Sequence, residues 1–201
     1  MKRESKISGL EEILVDIFND RSDVFILFVD LCGSTAYKQN NVEFMWVTRQ
    51  LLFLQRVAEF VKKRDGIVVM TIGDELMAIF QVSIVPEDIL KCAIEIIQYF
   101  EDYKLFQGND KIEAKVSIDF GQTINGSIAN TDIYDPIGTP VDRCARMNAI
   151  TNNNEITISK DFLTTLLINS SEAQLLAKYG YEKRLVDLKG IKKTTVYCIR
   201  I

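Results

Sequence analysis

Residues 24–35 read VFILFVDLCGST, an unbroken apolar run that ends at an acidic residue and a group of small residues. Six consecutive apolar side chains are typical of a strand that is buried on both faces of a sheet. Asp30 ends the run, and a carboxylate is costly to bury without a partner. The stretch therefore predicts a central strand with an acid at its carboxyl end, where open sheets place ligands.

Strand and helix patterns alternate after this run. They predict a helix over about 41–64, strands over 67–72 and 75–81 with a Gly73-Asp74 turn, a helix over about 86–103, and strands over 112–120 and 122–129. Further on, they predict a loop over 130–140, a helix over 141–150, a strand over 155–159, a helix over 160–168, and a hairpin of 181–188 and 195–201. This is the order of an α+β, ferredoxin-like β-α-β-β-α-β core with a C-terminal extension. We expect the first strand to lie beside the strand that enters the first hairpin.

The composition limits the chemistry. The chain has 201 residues, with 24 Lys and Arg, 28 Asp and Glu, and no histidine. The slightly acidic balance argues against nucleic acid as a partner. Without histidine, Ser-His-Asp and Cys-His nucleophiles and His-ligated metals are excluded. Catalysis would have to use carboxylates, Lys, Arg, hydroxyls, the backbone or a hard metal ion.

The ends and cysteines indicate a single cytoplasmic domain. Residues 1–22 predict a tail with a short amphipathic helix, which begins at a Ser8–Glu11 capping box, and residues 23–201 predict one domain. No stretch has the length and apolarity of a signal peptide or a membrane span, so no membrane partner is expected. The four cysteines form no CxxC pair, which is typical of reduced, buried side chains.

Two aspartates are candidates for a metal site. Taken singly, Asp30 could instead cap the next turn through the amides of Ser34 or Thr35, and Asp74 could be a solvated residue at a hairpin tip. Together, in a ferredoxin-like sheet, the two can face one another. Carboxylates, carbonyls and phosphate oxygens are the ligands that Mg²⁺ and Mn²⁺ prefer. The backbone N–H groups after Gly33 could hold phosphates.

A third candidate lies in residues 134–147, YDPIGTPVDRCARM. Asp142 and Arg146 are four residues apart and so share a helix face. They could form an ordinary surface ion pair, which contributes little. Alternatively, Arg146 could point at a phosphate, and Asp142 at a ribose or at Arg146.

Taken together, these segments resemble the catalytic domain of class III nucleotidyl cyclases over about residues 24–197. The matching blocks, in family order and spacing, are FVDLCGST, MTIGDELMAIF, DFGQTINGSI, YDPIGTPVDRCARM, ITIS and LKGIKKTTVYCI. The resemblance implies a ribonucleoside triphosphate substrate, two Mn²⁺ or Mg²⁺ ions per site, and a head-to-tail homodimer with two shared sites. In the implied reaction, the ribose 3′-hydroxyl attacks the α-phosphate and pyrophosphate leaves.

The resemblance also implies roles for individual residues. The implied metal ligands are Asp30, Asp74 and the carbonyl of Leu31. The implied ligands of the triphosphate are Gly33, Ser34, Thr35, and either Lys189 or Lys192. Arg146 is implied to stabilise the transition state at the α-phosphate, and Asp142 stands where the family usually has an Asn that orients the ribose.

The base-reading positions depart from the family pattern. Met70 stands where adenylyl cyclases have Lys and guanylyl cyclases have Glu, and a thioether cannot donate a hydrogen bond. Asp135 matches the other base-reading position of adenylyl cyclases and could accept from the exocyclic amine of adenine or cytosine. Tyr37 could pack on a small base, or it could be a core aromatic beside a helix.

A minimal cyclase without a regulatory domain and with a non-purine base site resembles the pyrimidine cyclases of bacterial Pycsar anti-phage systems. That resemblance implies cyclic CMP or cyclic UMP as product, acting on a separate cyclic-nucleotide-binding effector in antiviral defence. The alternatives are a bacterial adenylate or guanylate cyclase and a catalytically silent nucleotide-binding module. An RNA-binding ferredoxin-like module would need sheet-face aromatics and a basic surface, and the sequence shows neither.

Overall fold

The computed structural model describes residues 21–101, 103, 111–126, 135–168 and 173–201. Within them the strands are β1 (Arg21–Leu31), β2 (Ile67–Ile72), β3 (Glu75–Gln81), β4 (Ala114–Gly126), β5 (Asp135–Ile137), β6 (Glu155–Ser159), β7 (Glu182–Val186) and β8 (Thr194–Arg200). The helices are α1 (Ser34–Asn40), α2 (Glu43–Lys62), α3 (Pro86–Glu101), α4 (Thr139–Ile150), α5 (Lys160–Ile168) and α6 (Ala173–Tyr179). The helix predicted within residues 1–22 lies outside the described residues.

The strands form one mixed sheet in the order β2-β3-β1-β4-β6-β8-β7, with β5 paired to β4. The pairing of β4 with β6 is parallel, and the other described pairings are antiparallel. The first four strands, with α2 and α3 between them, form the predicted ferredoxin-like core. Strands β6, β8 and β7 extend that sheet on the β4 side, so the predicted α+β class with a C-terminal extension is confirmed.

The expectation about the neighbour of β1 is wrong. Strand β1 pairs with β3, which leaves the hairpin, and not with β2, which enters it. Burial explains the choice. Five successive residues of β3 are buried, as a central strand requires, whereas no residue of β2 is fully buried and its ends are exposed. An edge position suits the less buried strand.

The expected strand pair over 112–120 and 122–129 is also wrong, because β4 runs without a break through Gly121. This glycine allows a close approach. A Cβ atom built on Gly121 would lie 2.6 Å from Cγ of Pro140, at the start of α4. The glycine therefore lets α4 lie on β4, and it does not form a turn.

Two further boundaries differ from the expectation. The helix expected over 41–64 begins at Glu43 and is preceded by the separate helix α1. The loop expected over 130–140 contains β5 and the first residues of α4, although residues 127–134 lie outside the described part.

Helices cover the two faces of the sheet unequally. On one face, β1 contributes alternate residues such as Phe25 and Leu27 to a core with α2, α3, α5 and α6. On the other, Ile26 and Phe28 pack into a smaller cluster with α4. Side chains alternate along a strand, so Asp30 belongs to the face covered by α4, called here the α4 face.

The four cysteines are buried and unpaired, as expected. No described helix is both long enough and apolar enough to cross a membrane.

Candidate active site

Three charged residues form a row across the strand ends on the α4 face. Asp30 of β1 lies opposite Glu75 of β3 on one side and opposite Lys115 of β4 on the other. Residues directly opposite each other on paired strands point to the same face and interact. Nζ of Lys115 lies 2.9 Å from Oδ2 of Asp30, and the two side chains are 20% and 22% exposed. The row is therefore partly shielded from solvent.

Asp74 adjoins this row, because it precedes Glu75 at the tip of the β2–β3 hairpin. Nε2 of Gln50, on α2, donates to the carbonyl of Gly73 at 2.7 Å and fixes the tip. Burial, followed by the charge of Asp30 and to a smaller degree that of Asp74, raises the pKa of Glu75 to about 7, although Lys115 opposes the shift. The two predicted metal aspartates thus share one corner of the sheet, called here the acidic corner.

The acidic corner fits a divalent cation in its donor chemistry. The carboxylates of Asp30 and Asp74 and the carbonyl of Leu31 are hard oxygen donors of the kind that Mg²⁺ and Mn²⁺ prefer. Burial is the main cause of the raised pKa of Glu75, and the charges of Asp30 and Asp74 add to it, so a cation would offset part of the shift. Among the described residues, no three Asp, Glu or Cys side chains converge on a ready-made ion site. Water and substrate oxygens would have to complete the coordination.

The small residues predicted to hold phosphates lie at the same end of β1. Gly33 has a left-handed backbone with φ of +69°, and a Cβ atom there would meet nothing within 4 Å. Glycine is therefore favoured by the backbone conformation rather than by crowding. Ser34 is buried and Thr35 is exposed. Burial raises the pKa of the Cys32 thiol to about 12, so this cysteine stays protonated and is a poor metal ligand.

Arg146 is placed by α4, which lies across β1 and β4. Nδ2 of Asn148 donates to the carbonyl of Phe28 at 3.0 Å, and Sγ of Cys144 lies 3.5 Å from the carbonyl of Ile26. From this anchored helix, Arg146 reaches the β7–β8 loop. A Cβ atom on Gly190 would lie 3.8 Å from Nη2 of Arg146.

Both candidate phosphate-binding lysines, Lys189 and Lys192, are exposed in that loop. Leu188, which is 2% exposed, anchors the loop in the core of the α4 face. Lys189 directly precedes Gly190, the residue that contacts Arg146. We call Arg146, Lys189 and Lys192 the cationic cluster.

The acidic corner and the cationic cluster are separate within one chain. Two strands, β4 and β6, separate β1 from β8, and the three steps correspond to about 14 Å at the usual strand spacing. No ion pair within 4 Å joins the described side chains of the cluster to Asp30 or Asp74. One chain therefore carries an acidic group and a cationic group at separate places on the sheet.

Asp142 is exposed near the start of α4. In the described part of the chain, no ion pair within 4 Å joins Asp142 to Arg146 or to Arg143, so the simple surface pair is not formed. Arg143 instead donates two hydrogen bonds to the buried carboxylate of Asp119, at 2.6 and 2.7 Å. Asp142 remains accessible from solvent.

The predicted base contacts lie in different surroundings. Met70, on β2, is half-buried and packs against the apolar cluster of the α4 face. Asp135 is the first residue of β5 and pairs with Gly126 of β4. Cζ of Arg49 lies 4.7 Å from the centre of the Tyr37 ring, and Arg49 belongs to α2, on the opposite face. This contact supports the interpretation of Tyr37 as a packing residue.

Sequence reasoning missed Glu75 and Lys115. Glu75 directly follows Asp74, so its position along the chain was a usable signal. Lys115 is a single charge at the start of a strand, and only the β1–β4 register places it beside Asp30.

A mixed sheet with a ferredoxin-like core, an acidic corner and an arginine-bearing helix on one face defines the architecture of a nucleotide cyclase domain. The model of the adenylate and guanylate cyclase catalytic domain matches residues 18–200, and the chain belongs to this family. No curated protein matches the chain.

Solved cyclase structures share the fold. The guanylate cyclase domain of RhGC from Catenaria anguillulae, solved with GTP, has a TM-score of 0.74 at 18% identity, covering 89% of this chain and 96% of that one. The non-canonical dimeric guanylyl cyclase domain of the RhoGC fusion protein from the aquatic fungus Blastocladiella emersonii has a TM-score of 0.70 at 16% identity, covering 89% of this chain and 96% of that one. The adenylyl cyclase CyaB from P. aeruginosa has a TM-score of 0.69 at 16% identity, with coverages of 90% and 95%.

Proposed function

We propose that this protein is an active nucleotidyl cyclase that converts a ribonucleoside triphosphate to a 3′,5′-cyclic nucleotide and pyrophosphate. One observation carries the proposal: a single chain holds both an acidic corner and a cationic cluster, and the two lie apart. In the reaction, the bond from the 3′-oxygen to the α-phosphorus forms while the bond to the leaving pyrophosphate breaks. A site for this chemistry needs both halves.

In the proposed site, Asp30, Asp74 and the carbonyl of Leu31 would hold two divalent cations, Mn²⁺ or Mg²⁺. When bound, such ions neutralise phosphate charge and lower the pKa of the attacking hydroxyl. The backbone N–H groups of residues 33–35 bind the triphosphate. Arg146 donates to the α-phosphate oxygens as negative charge develops, a role that suits a forked and permanently charged group.

In the cationic cluster, one lysine binds the leaving phosphates. The contact between Gly190 and Arg146 favours Lys189 over Lys192 for this role. The exposed Asp142 orients the ribose by accepting from its hydroxyls, where the family usually uses an Asn.

A second copy of the chain would bring the two halves together. In a head-to-tail homodimer, two-fold symmetry places the acidic corner of each copy against the cationic cluster of the other. Ile72, which is 61% exposed and directly precedes the Gly73-Asp74 turn, would lie in such a contact.

We further propose a pyrimidine base. Met70 offers the base an apolar surface without a donor, and Asp135 offers an acceptor suited to the exocyclic amine of cytosine. Uracil would present a carbonyl to Asp135 and would need a bridging water or backbone group. The product, cyclic CMP or cyclic UMP, would then signal to a separate cyclic-nucleotide-binding effector in Pycsar antiviral defence. We place the enzyme in the cytoplasm. The boundary expected after residue 22 is too late, because Arg21 and Ser22 pair with β4 as part of β1, and we propose that residues 1–20 form the tail.

Product analysis tests the proposal. The purified protein is incubated with Mn²⁺ and each of the four labelled ribonucleoside triphosphates, and the products are separated by chromatography. We expect a cyclic product from CTP or UTP, loss of product in Asp30→Asn, and retention in Asp23→Asn, an exposed acid at the far end of β1. A product from ATP or GTP alone would make the protein an adenylate or guanylate cyclase. No product from any substrate would make it a silent module.

A further inference from the structure

We propose that Lys115 is a positioning residue that stands in for the metal ion: it holds the carboxylate of Asp30 in the metal-free enzyme and is exchanged for the cation when the metal binds. The inference rests on the proposed function, because it takes Asp30 as a metal ligand. It assigns to Lys115 control over when the metal site fills.

The geometry supports an exchange at a single oxygen. Nζ of Lys115 lies 2.9 Å from Oδ2 of Asp30, within hydrogen-bond distance. A divalent cation bound by the same carboxylate would place a second positive charge close to the ammonium group. The two cations would repel each other and compete for the same carboxylate, so binding of one displaces the other.

The surroundings explain why the metal-free corner needs a cation. Asp30 is opposite Glu75, Asp74 directly precedes Glu75 along the chain, and Lys115 is opposite Asp30 on the side away from Glu75. Without a cation, three neighbouring carboxyl groups would repel one another. Lys115 offsets part of that charge, and its partial burial makes the offset larger than at an open surface.

The side chain of Lys115 can also move away from Asp30. The backbone of Lys115 is fixed in β4 between the buried residues Ala114 and Val116. Its ammonium group, in contrast, sits on a flexible four-carbon stem. The lysine can withdraw from Asp30 without any movement of the strand. A metal ion would then enter most readily together with an anionic substrate, whose charge restores the balance in the corner.

Direct Mn²⁺ binding without nucleotide tests this inference. Free Mn²⁺ is followed by electron paramagnetic resonance during titration of the wild type, Lys115→Met, Lys115→Arg and Asp30→Asn. Lys183→Met is the matched control, because it removes the same charge from the exposed face of β7. We expect Lys115→Met to bind Mn²⁺ about three- to tenfold more tightly than the wild type. Lys115→Arg and Lys183→Met should stay close to the wild type.

Equal or weaker Mn²⁺ binding by Lys115→Met, with binding still lost in Asp30→Asn, would overturn the inference and leave the proposed function standing. Wild-type Mn²⁺ binding in Asp30→Asn would instead contradict the proposed metal site itself. If Lys115→Met folds poorly, Lys115→Gln is compared by thermal denaturation. The melting temperature should rise more on addition of Mn²⁺ in this variant than in the wild type, because at a given concentration a ligand that binds more tightly stabilises the folded state more. An equal or smaller rise counts against the exchange.

Discussion

The guanidinium of Arg146 lies against Gly190, where a Cβ atom would come within 3.8 Å of Nη2. Gly190 has a φ of +77°, a backbone conformation that residues other than glycine adopt only at a cost in free energy. The arginine on α4 and the lysines of the β7–β8 loop come from separate sequence blocks, and this contact joins them. We infer that the glycine holds the cationic cluster together.

Replacing this glycine should impair catalysis more than stability. In Gly190→Leu the Cβ atom would already be in van der Waals contact with the guanidinium, and the rest of the side chain should displace Arg146 and lower kcat about tenfold or more. Gly180→Leu is a matched control, since its φ is +70° and a Cβ atom there meets nothing within 4 Å. Both changes should cost about 1–2 kcal/mol of stability. Equal kcat values in the two variants, measured at saturating substrate, would argue against the role of the contact.

The base preference should respond to position 70. Met70→Lys adds a donor to the half-buried surface of β2, and one hydrogen bond to a charged group can change discrimination about tenfold. We expect kcat/KM for ATP to rise relative to the other triphosphates, whereas Met70→Leu should leave the preference as it is. The measurement is a competition assay with all four nucleotides. An unchanged preference in Met70→Lys would mean that the base is read elsewhere.

Arg184 should be essential for the stability of the C-terminal extension. Its two Nη atoms donate to the two carboxylate oxygens of Glu155 at 2.9 Å, and that carboxylate is 1% exposed. Arg184→Met should cost about 3–5 kcal/mol, because it removes both charge-assisted hydrogen bonds from a buried carboxylate. Arg200, at 3.8 Å from the same carboxylate and 77% exposed, is the control, and Arg200→Met should cost less than about 1 kcal/mol. Urea denaturation measures both costs, and similar values would contradict this account.

The ion pair of Arg184 and Glu155 also predicts that the stability of the protein depends on pH. Burial alone would raise the pKa of Glu155, but hydrogen bonds from Arg184 and Asn152 outweigh it and lower the pKa below its ordinary value of 4.5. A lowered pKa in the folded state contributes stability that is complete above pH 4.5 and is lost as the pH falls through the folded value. The free energy of unfolding should therefore differ most between the wild type and Arg184→Met near neutral pH, and this difference should become smaller in acid. A constant difference over that range would show that Glu155 does not titrate as inferred.

The sequence predicted the core elements well where local patterns decide them. The bounds predicted for β2, β3, β6 and α5 are those of the structure, because apolar runs and turn residues mark their ends. The order of β1 and β3 was not predictable in this way, since it depends on which strand is buried on both faces. Gly121 misled the prediction because a glycine needed for close packing looks like a turn in the sequence.

The candidate site was predictable in its residue types and less so in its geometry. Asp30, Asp74 and Arg146 stand out through the motifs that carry them. Lys115 does not, because only the register of β1 with β4 reveals its partner. The separation of the acidic corner from the cationic cluster likewise follows from the strand order, which the local pattern does not contain.

Mixing two inactive variants tests the central claim, a site shared between two copies, most directly. Asp30→Asn damages the acidic corner and Arg146→Ala damages the cationic cluster, so each variant alone should lack cyclase activity. In an equal mixture that re-forms dimers, half of the dimers are mixed and each of these has one intact site, so activity should return to about a quarter of the wild-type value. Mixtures that stay inactive although the two variants form mixed dimers would contradict the account.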